Sequence, residues 1–196
     1  MAERSLDLGA LQSLLERVRD LKVACVGDLM LDRYVYGEVS RISPEAPIPV
    51  LRARRTVAMP GGVGNVARNV AALGGQARLG AVAGDDAAGA ELADLIAAED
   101  RIEDALIRPE GAATIVKTRF VAAGQQLLRL DDEAAPHSGY TDKAVFQGAG
   151  AILLSDYAKG VVDDGAIQAA LWAGACLLYT SPSPRDLSTS RMPSSA

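Results

Sequence analysis

The chain of 196 residues predicts an α/β fold, a mainly parallel sheet flanked by helices with a small β-lid beside it. Three observations carry this expectation. Short apolar runs of strand length alternate with helix-period runs over most of the chain, as right-handed βαβ crossovers require. Two stretches, about 32–56 and 114–130, are rich in β-formers, and Pro44, Pro47 and Pro49 interrupt the first, which places it outside a buried parallel sheet. Between them, Met59-Pro60-Gly61-Gly62-Val63-Gly64-Asn65 sets glycines against a helix start.

Composition sets the outer limits. With 49% hydrophobic and 23% charged residues the chain can bury a good core, and its length suits one domain or most of one. A net charge of −5 argues against a general nucleic-acid or anionic-membrane surface, so neither is expected as a partner. No apolar run approaches the ~20 residues of a membrane span, and the N-terminus lacks a basic-then-apolar signal, so a cytoplasmic location is expected. Cys25, Cys176 and His137 are the only Cys and His residues; they support neither a disulfide framework nor a His/Cys metal site, and the expected metal ligands are none.

The elements follow in order. Ser5 is expected to cap a packing helix in which Leu8, Leu11, Leu14, Leu15 and Val18 recur at three and four, ending near Asp20. Leu21 to Val26 reads as a buried parallel strand closed by Gly27-Asp28. Ligands of open α/β sheets bind at the carboxyl ends of strands, so Asp28 and Asp32 are candidates for accepting hydrogen bonds from substrate hydroxyls; a turn Asp and a solvated Asp are the plain alternative. Arg33–Tyr36, Ile48–Arg52, Thr114–Val121 and Gln126–Leu130 are expected to pair into a separate small sheet, either a lid that excludes water from a site or a surface hairpin pair.

At the glycine corner, Gly61, Gly62 and Gly64 let a small molecule lie against the backbone. A helix from Asn65 to Leu73 is expected to bury Val66, Val70 and Leu73, and Gly74-Gly75 should end it. The N–H groups of its first turn would face the ligand. Further on come a strand over Ala77–Val82, a helix capped by Asp85-Asp86 through Leu92, Leu95 and Ile96, a short helix around Ala144–Phe146, and a strand Ala151–Leu154. The polar loop Ser155-Asp156-Tyr157-Ala158-Lys159-Gly160 follows, then a helix from Asp163 to Trp172.

The pattern breaks after Ala175. Residues 176–196 are Ser/Pro-rich and expected to be disordered. They are similar to the translation of a transposon-type sequencing adapter, an index and a flow-cell primer, so the natural part is expected to end at 175. Arg185 and Arg191 less Asp186 contribute +1, which leaves −6 on the remainder.

Several motifs converge on one family. Gly27-Asp28-Leu29-Met30-Leu31-Asp32-Arg33-Tyr34, Arg41-Ile42-Ser43-Pro44-Glu45-Ala46-Pro47, the Pro60-to-Leu73 corner, Gln125 to Asp131 and Leu154 to Gly160 resemble the ribokinase-like (PfkB) sugar kinases. Among these they are most similar to the kinase domain of bacterial heptose 7-phosphate kinases. The resemblance implies an enzyme that uses ATP and Mg²⁺ to phosphorylate the anomeric C1 hydroxyl of a heptose 7-phosphate, on the route to ADP-heptose and the lipopolysaccharide core. It implies substrate-binding roles for Asp28, Asp32, Gly61, Gly62 and Asn65, and for Arg119, Arg129 and Lys159 on the sugar phosphate. A homodimer through the β-lid is a further implication. The family's Gly-Ala-Gly-Asp motif, which supplies the catalytic base, does not occur in the 196 residues. The chain therefore reads as the N-terminal, sugar-binding part of such a kinase: it carries no catalytic residue, it lacks most of the nucleotide site, and it is expected to be inactive.

Three other readings exist. Gly62-x-Gly64-x-x-Ala67 with Asp85 about twenty residues on fits a dinucleotide fingerprint and would make an oxidoreductase. Another sugar or nucleoside kinase of the same family, and a non-catalytic sugar-binding half-domain, are the others.

Overall fold

The computed structural model describes residues 7–19, 21–133, 139–173 and 176–180. Ser5, Asp20, His137 and residues 181–196 lie outside the described residues, and with them the expected Ser5 cap and most of the expected tail.

Two sheets share the chain. The larger holds β1 (Lys22–Gly27), β4 (Gln76–Gly80), β5 (Ile102–Asp104), β8 (Ala151–Ser155) and β9 (Cys176–Thr180) in the order β5-β4-β1-β8-β9. All of its pairings are parallel. The smaller holds β2 (Leu29–Ile42), β3 (Pro49–Gly62), β6 (Val116–Ala122) and β7 (Gln125–Asp132) in the order β3-β2-β6-β7. Here β2 runs antiparallel to β3 and parallel to β6, and β7 returns antiparallel to β6. The α/β class is thus as the alternation predicts, and the Pro-broken β-segments do form a sheet of their own.

Successive residues of β1 point to opposite faces, and both faces are buried. Val23 and Cys25 pack toward α2 (Val63–Ala72) and α3 (Ala87–Ala97), with Leu79, Val63, Ala67, Leu92 and Ile96. Ala24 and Val26 face the other layer with Ile152, Leu154, Phe146 and Ala170, the last on α4 (Asp164–Trp172). Burial pushes the Cys25 thiol up to about 12, so it stays neutral and inert. Side-chain caps open three of the four described α-helices: Asp7 on α1 (Leu8–Val18), Asp86 on α3 and Asp163 on α4.

Four expectations change. The apolar stripe of α1 is real, yet none of its residues is buried and Leu8 is 70% exposed, so the helix adds nothing to the buried core among the described residues. Leu73 caps α2 instead of extending its buried face, and is 54% exposed. Residues 176–180, expected to open a disordered tail, form β9 and pair with β8. The dinucleotide reading also fails, because β3, which leads into the glycines, is an antiparallel strand of the smaller sheet and a Rossmann turn needs a strand of the parallel one.

Candidate functional site

Asp28 is the single residue between β1 of the large sheet and β2 of the small one. It is fully buried. Its Oδ2 accepts from the N–H groups of Tyr157 at 2.6 Å and Lys159 at 3.1 Å, and its Oδ1 from Val161 at 3.2 Å. Its own N–H donates to Ser155 O, and its carbonyl accepts from Val63 N–H at the start of α2. Burial pushes the carboxyl upward from its ordinary value, outweighing the three N–H bonds that hold it down. The loop it clamps includes Ala158 at φ 58°, a left-handed conformation costing a non-glycine residue about 1 kcal/mol, which those bonds hold in place. The structure therefore does not open Asp28 to a ligand, as expected from its strand-end position; it makes Asp28 the joint between β1, α2 and the loop after β8.

Asp32 is half-buried, with 18% of its side chain exposed. Two residues along β2 on the same face as Met30, it lies against Gly61, where an added Cβ would sit 2.2 Å from Asp32 Oδ2. Arg119 Nη1 donates to Asp32 Oδ1 at 2.5 Å, and the guanidinium lies 5.0 Å from the Tyr34 ring centroid. Strand register explains why these groups meet. Asp32 pairs with Lys117, which pairs with Asp131; Tyr34 pairs with Arg119, which pairs with Arg129. Paired residues share a sheet face, so two adjacent rows of polar side chains cross three strands beside the glycine corner.

Cations and carboxylates interlock at the end of these rows. Lys117 Nζ reaches Asp131 Oδ2 at 3.1 Å and Glu133 Oε1 at 2.7 Å, while Arg129 Nε reaches Asp131 Oδ1 at 2.9 Å. Lys159, from the loop after β8, places Nζ 2.6 Å from Glu133 Oε2. Glu133 thus ties the small sheet to the loop that Asp28 clamps. The two ammonium groups pull its carboxyl down from the ordinary 4.5 to about 2. A carboxyl lower in the folded than in the unfolded state contributes stability above pH 4.5 that is lost as pH falls toward 2. Stability measured by urea titration is expected to drop across that window, and Glu133→Gln should flatten the drop; an unchanged profile would refute the assignment.

Gly62 takes φ 57° as the cap residue of α2, and Val63, not Asn65, opens that helix. Asn65 is exposed on α2 and lines a depression of about 450 Å³ with Arg68, Asn69 and Glu99, a lining that does not include Asp32. The expected site residues thus divide. Asp32, Gly61 and Arg119 are in contact, Gly62 abuts the Asp28 carbonyl, Arg129 and Lys159 join through Asp131, Lys117 and Glu133, and Asn65 lines the depression on α2 instead.

The pfkB family carbohydrate kinase model matches residues 20–184, running past the boundary expected at residue 175. The chain belongs to that family. Among its pfkB relatives, the "Bifunctional protein HldE" of Hyphomonas neptunium is 45% identical over 187 residues, covering 90% of this chain and 38% of the relative. The protein of the same name from Rhodospirillum rubrum is 46% identical over 172 residues, covering 84% and 34%. The chain thus spans little more than a third of the curated relatives it matches. A "Possible 1-phosphofructokinase" of Thermotoga maritima shares the fold at TM-score 0.64 and 18% identity, covering 86% of this chain and 55% of that one. Phosphofructokinase-2 of Escherichia coli in its tetrameric inhibited form matches at TM-score 0.58 and 25% identity, over 83% and 55%.

Reading the pfkB chain as a sequence missed Lys117, Asp131 and Glu133. Their signal was present, since Lys117/Arg119 and Arg129/Asp131 are spaced by two on adjacent β-segments and Glu133 continues the second spacing just past its strand, but only the register brings them together.

Proposed function

We propose that the protein containing this chain transfers the γ-phosphoryl group of ATP to the anomeric C1 hydroxyl of D-glycero-D-manno-heptose 7-phosphate, giving the 1,7-bisphosphate used in ADP-heptose and lipopolysaccharide core biosynthesis. The observation that carries this reading is a hydroxyl acceptor, Asp32 against Gly61, set beside a row of cations, Lys117, Arg119, Arg129 and Lys159. A phosphorylated sugar needs both. Asp32 would accept from a sugar hydroxyl with Arg119 fixing its orientation, Gly61 and Gly62 would admit the sugar against the backbone, and the lysines and Arg129 would hold its phosphate. The relatives at 43–46% identity named "Bifunctional protein HldE" support the heptose assignment.

The transfer itself calls for a base and for Mg²⁺ on the phosphates. Among the described residues no three His, Cys, Asp or Glu side chains converge as a metal site. We assign the base and most of the nucleotide site to sequence beyond this chain, and Asp28 to positioning. No helix among the described residues is long and apolar enough to cross a membrane, which fits the proposed cytoplasmic location. Exposed Leu127, Leu128 and Leu130 on β7 give the small sheet an apolar surface for the proposed homodimer.

Calorimetric titration of the 196-residue chain tests the reading. Heptose 7-phosphate is expected to bind at least about tenfold tighter than the unphosphorylated heptose, the worth of one charge-assisted contact. No ADP should form with ATP and Mg²⁺ present. Equal affinity for the two sugars would overturn the phosphate assignment, and ADP formation would overturn the inactivity.

A further inference from the structure

We propose that the Glu133 carboxylate is an internal stand-in for a phosphate, holding the anion position between Lys117 and Lys159 until a phosphomonoester displaces it. The inference rests on the proposed sugar-phosphate site, but Glu133 itself plays no part in that reading. Its two oxygens are divided between the two ammonium groups, Oε1 on Lys117 at 2.7 Å and Oε2 on Lys159 at 2.6 Å. Two cations from different parts of the fold therefore converge on one small anion, and a tetrahedral phosphate presents oxygens suited to the same pair. Lys117 and Lys159 keep 13% and 26% of their side chains exposed and Glu133 32%, so the lysines are partly sheltered while the anion position itself can be reached from solvent.

Charge balance favours exchange. Lys117, Lys159 and Arg129 carry +3 against −1 on Asp131, leaving +2 once Glu133 departs. A phosphomonoester supplies about −1.5 to −2 at neutral pH and neutralises that cluster more fully than one carboxylate does. Departure is also mechanically simple. Glu133 is the first residue past β7, which ends at Asp132, so no ladder hydrogen bond holds its backbone. Asp131, in contrast, is fixed in register opposite Lys117 and stays to orient it. With the anion position filled from within, the lysines are held apart at the right spacing in the absence of ligand, and a neutral sugar gains nothing by displacing Glu133. The device therefore favours phosphorylated over unphosphorylated sugars.

Titrating the 196-residue chain with inorganic phosphate, and separately with heptose 7-phosphate, tests this. A site occupied internally about nine-tenths of the time binds its ligand about tenfold more weakly than an open one, so Glu133→Gln should tighten inorganic phosphate by about that factor. Adding Lys117→Gln to Glu133→Gln should abolish the gain. Glu133→Asp, too short to bridge both lysines, should also tighten phosphate; it keeps the test usable if the Gln variant fails to fold, which circular dichroism would show. Equal or weaker phosphate binding in the folded variants, or no phosphate binding to any of them, overturns the proposal. If the variants bind inorganic phosphate more tightly but no form binds heptose 7-phosphate, the functional reading falls and the stand-in role survives. If heptose 7-phosphate binds the wild type and the variants alike, the stand-in role falls alone.

Discussion

Replacing Asp28 by alanine is expected to destabilise the fold by about 3–5 kcal/mol, because it orphans the part-buried N–H groups of Tyr157 and Lys159 and the buried one of Val161 together. Each stranded donor costs about 1–3 kcal/mol, and removing a desolvated carboxylate offsets part of the sum. Against a typical total of about 5–15 kcal/mol this is a large fraction. The urea midpoint should fall by more than about 1 M, and amide exchange at the three donors should accelerate ahead of the rest of the large sheet. Asp28→Asn should lose about half as much. Its single carbonyl oxygen can replace Oδ2 and keep Tyr157 and Lys159, while its NH₂ is left facing the N–H of Val161. A loss below about 1 kcal/mol for the alanine variant would show that the loop is held by other contacts.

Adjacent glycines are expected to respond differently to the same methyl group. At Gly62 an alanine Cβ would sit 2.1 Å from the Asp28 carbonyl oxygen, on backbone with φ 57°. That oxygen already accepts from Val63 N–H, so neither partner can move without breaking the start of α2. Gly62→Ala should therefore cost on the order of 4 kcal/mol. At Gly61 the methyl group would meet side chains only, the Asp32 carboxylate at 2.2 Å and Met30 Cγ at 2.9 Å, and these can shift where backbone cannot. Gly61→Ala should cost only about 1 kcal/mol of stability, yet by turning Asp32 off Arg119 it should weaken heptose 7-phosphate binding about tenfold or more. Thermal unfolding and sugar titration of both variants separate the effects. Wild-type sugar affinity in folded Gly61→Ala would remove Asp32 from the site.

Much of the architecture was legible because burial imposes periodicity. The apolar runs of β1, β4 and β8 and the capped helices α3 and α4 lie close to where their patterns predict them. β5 escaped notice, since three residues with two carboxylates carry no such pattern. The stripe on α1 was equally legible, but a periodic face says only that a helix has an apolar side, not what covers it. Within the site, the glycines announced themselves by composition, and Asp32 by its distance from a strand end. Asp28 showed the same signal and turned out to serve another purpose, because the groups that occupy its carboxylate lie 129 to 133 positions further along the chain. Lys117, Asp131 and Glu133 depend on strand register, which alternation alone leaves open by two-residue steps.

The joint at Asp28 also has a mechanical meaning. From it β2 runs outward for 14 residues, roughly 45 Å at strand rise, paired along that length with β3. The assembly is a cantilever rooted in the buried core. A tilt of about five degrees at the root would displace the far end by about 4 Å, so a change beside the glycine corner would be magnified at the tip of the small sheet. The Arg33–Glu91 ion pair to α3 braces the arm near its base, where bending moment is greatest. Any small change in how Asp28 holds its loop would thus appear as a far larger travel of the surface farthest from it.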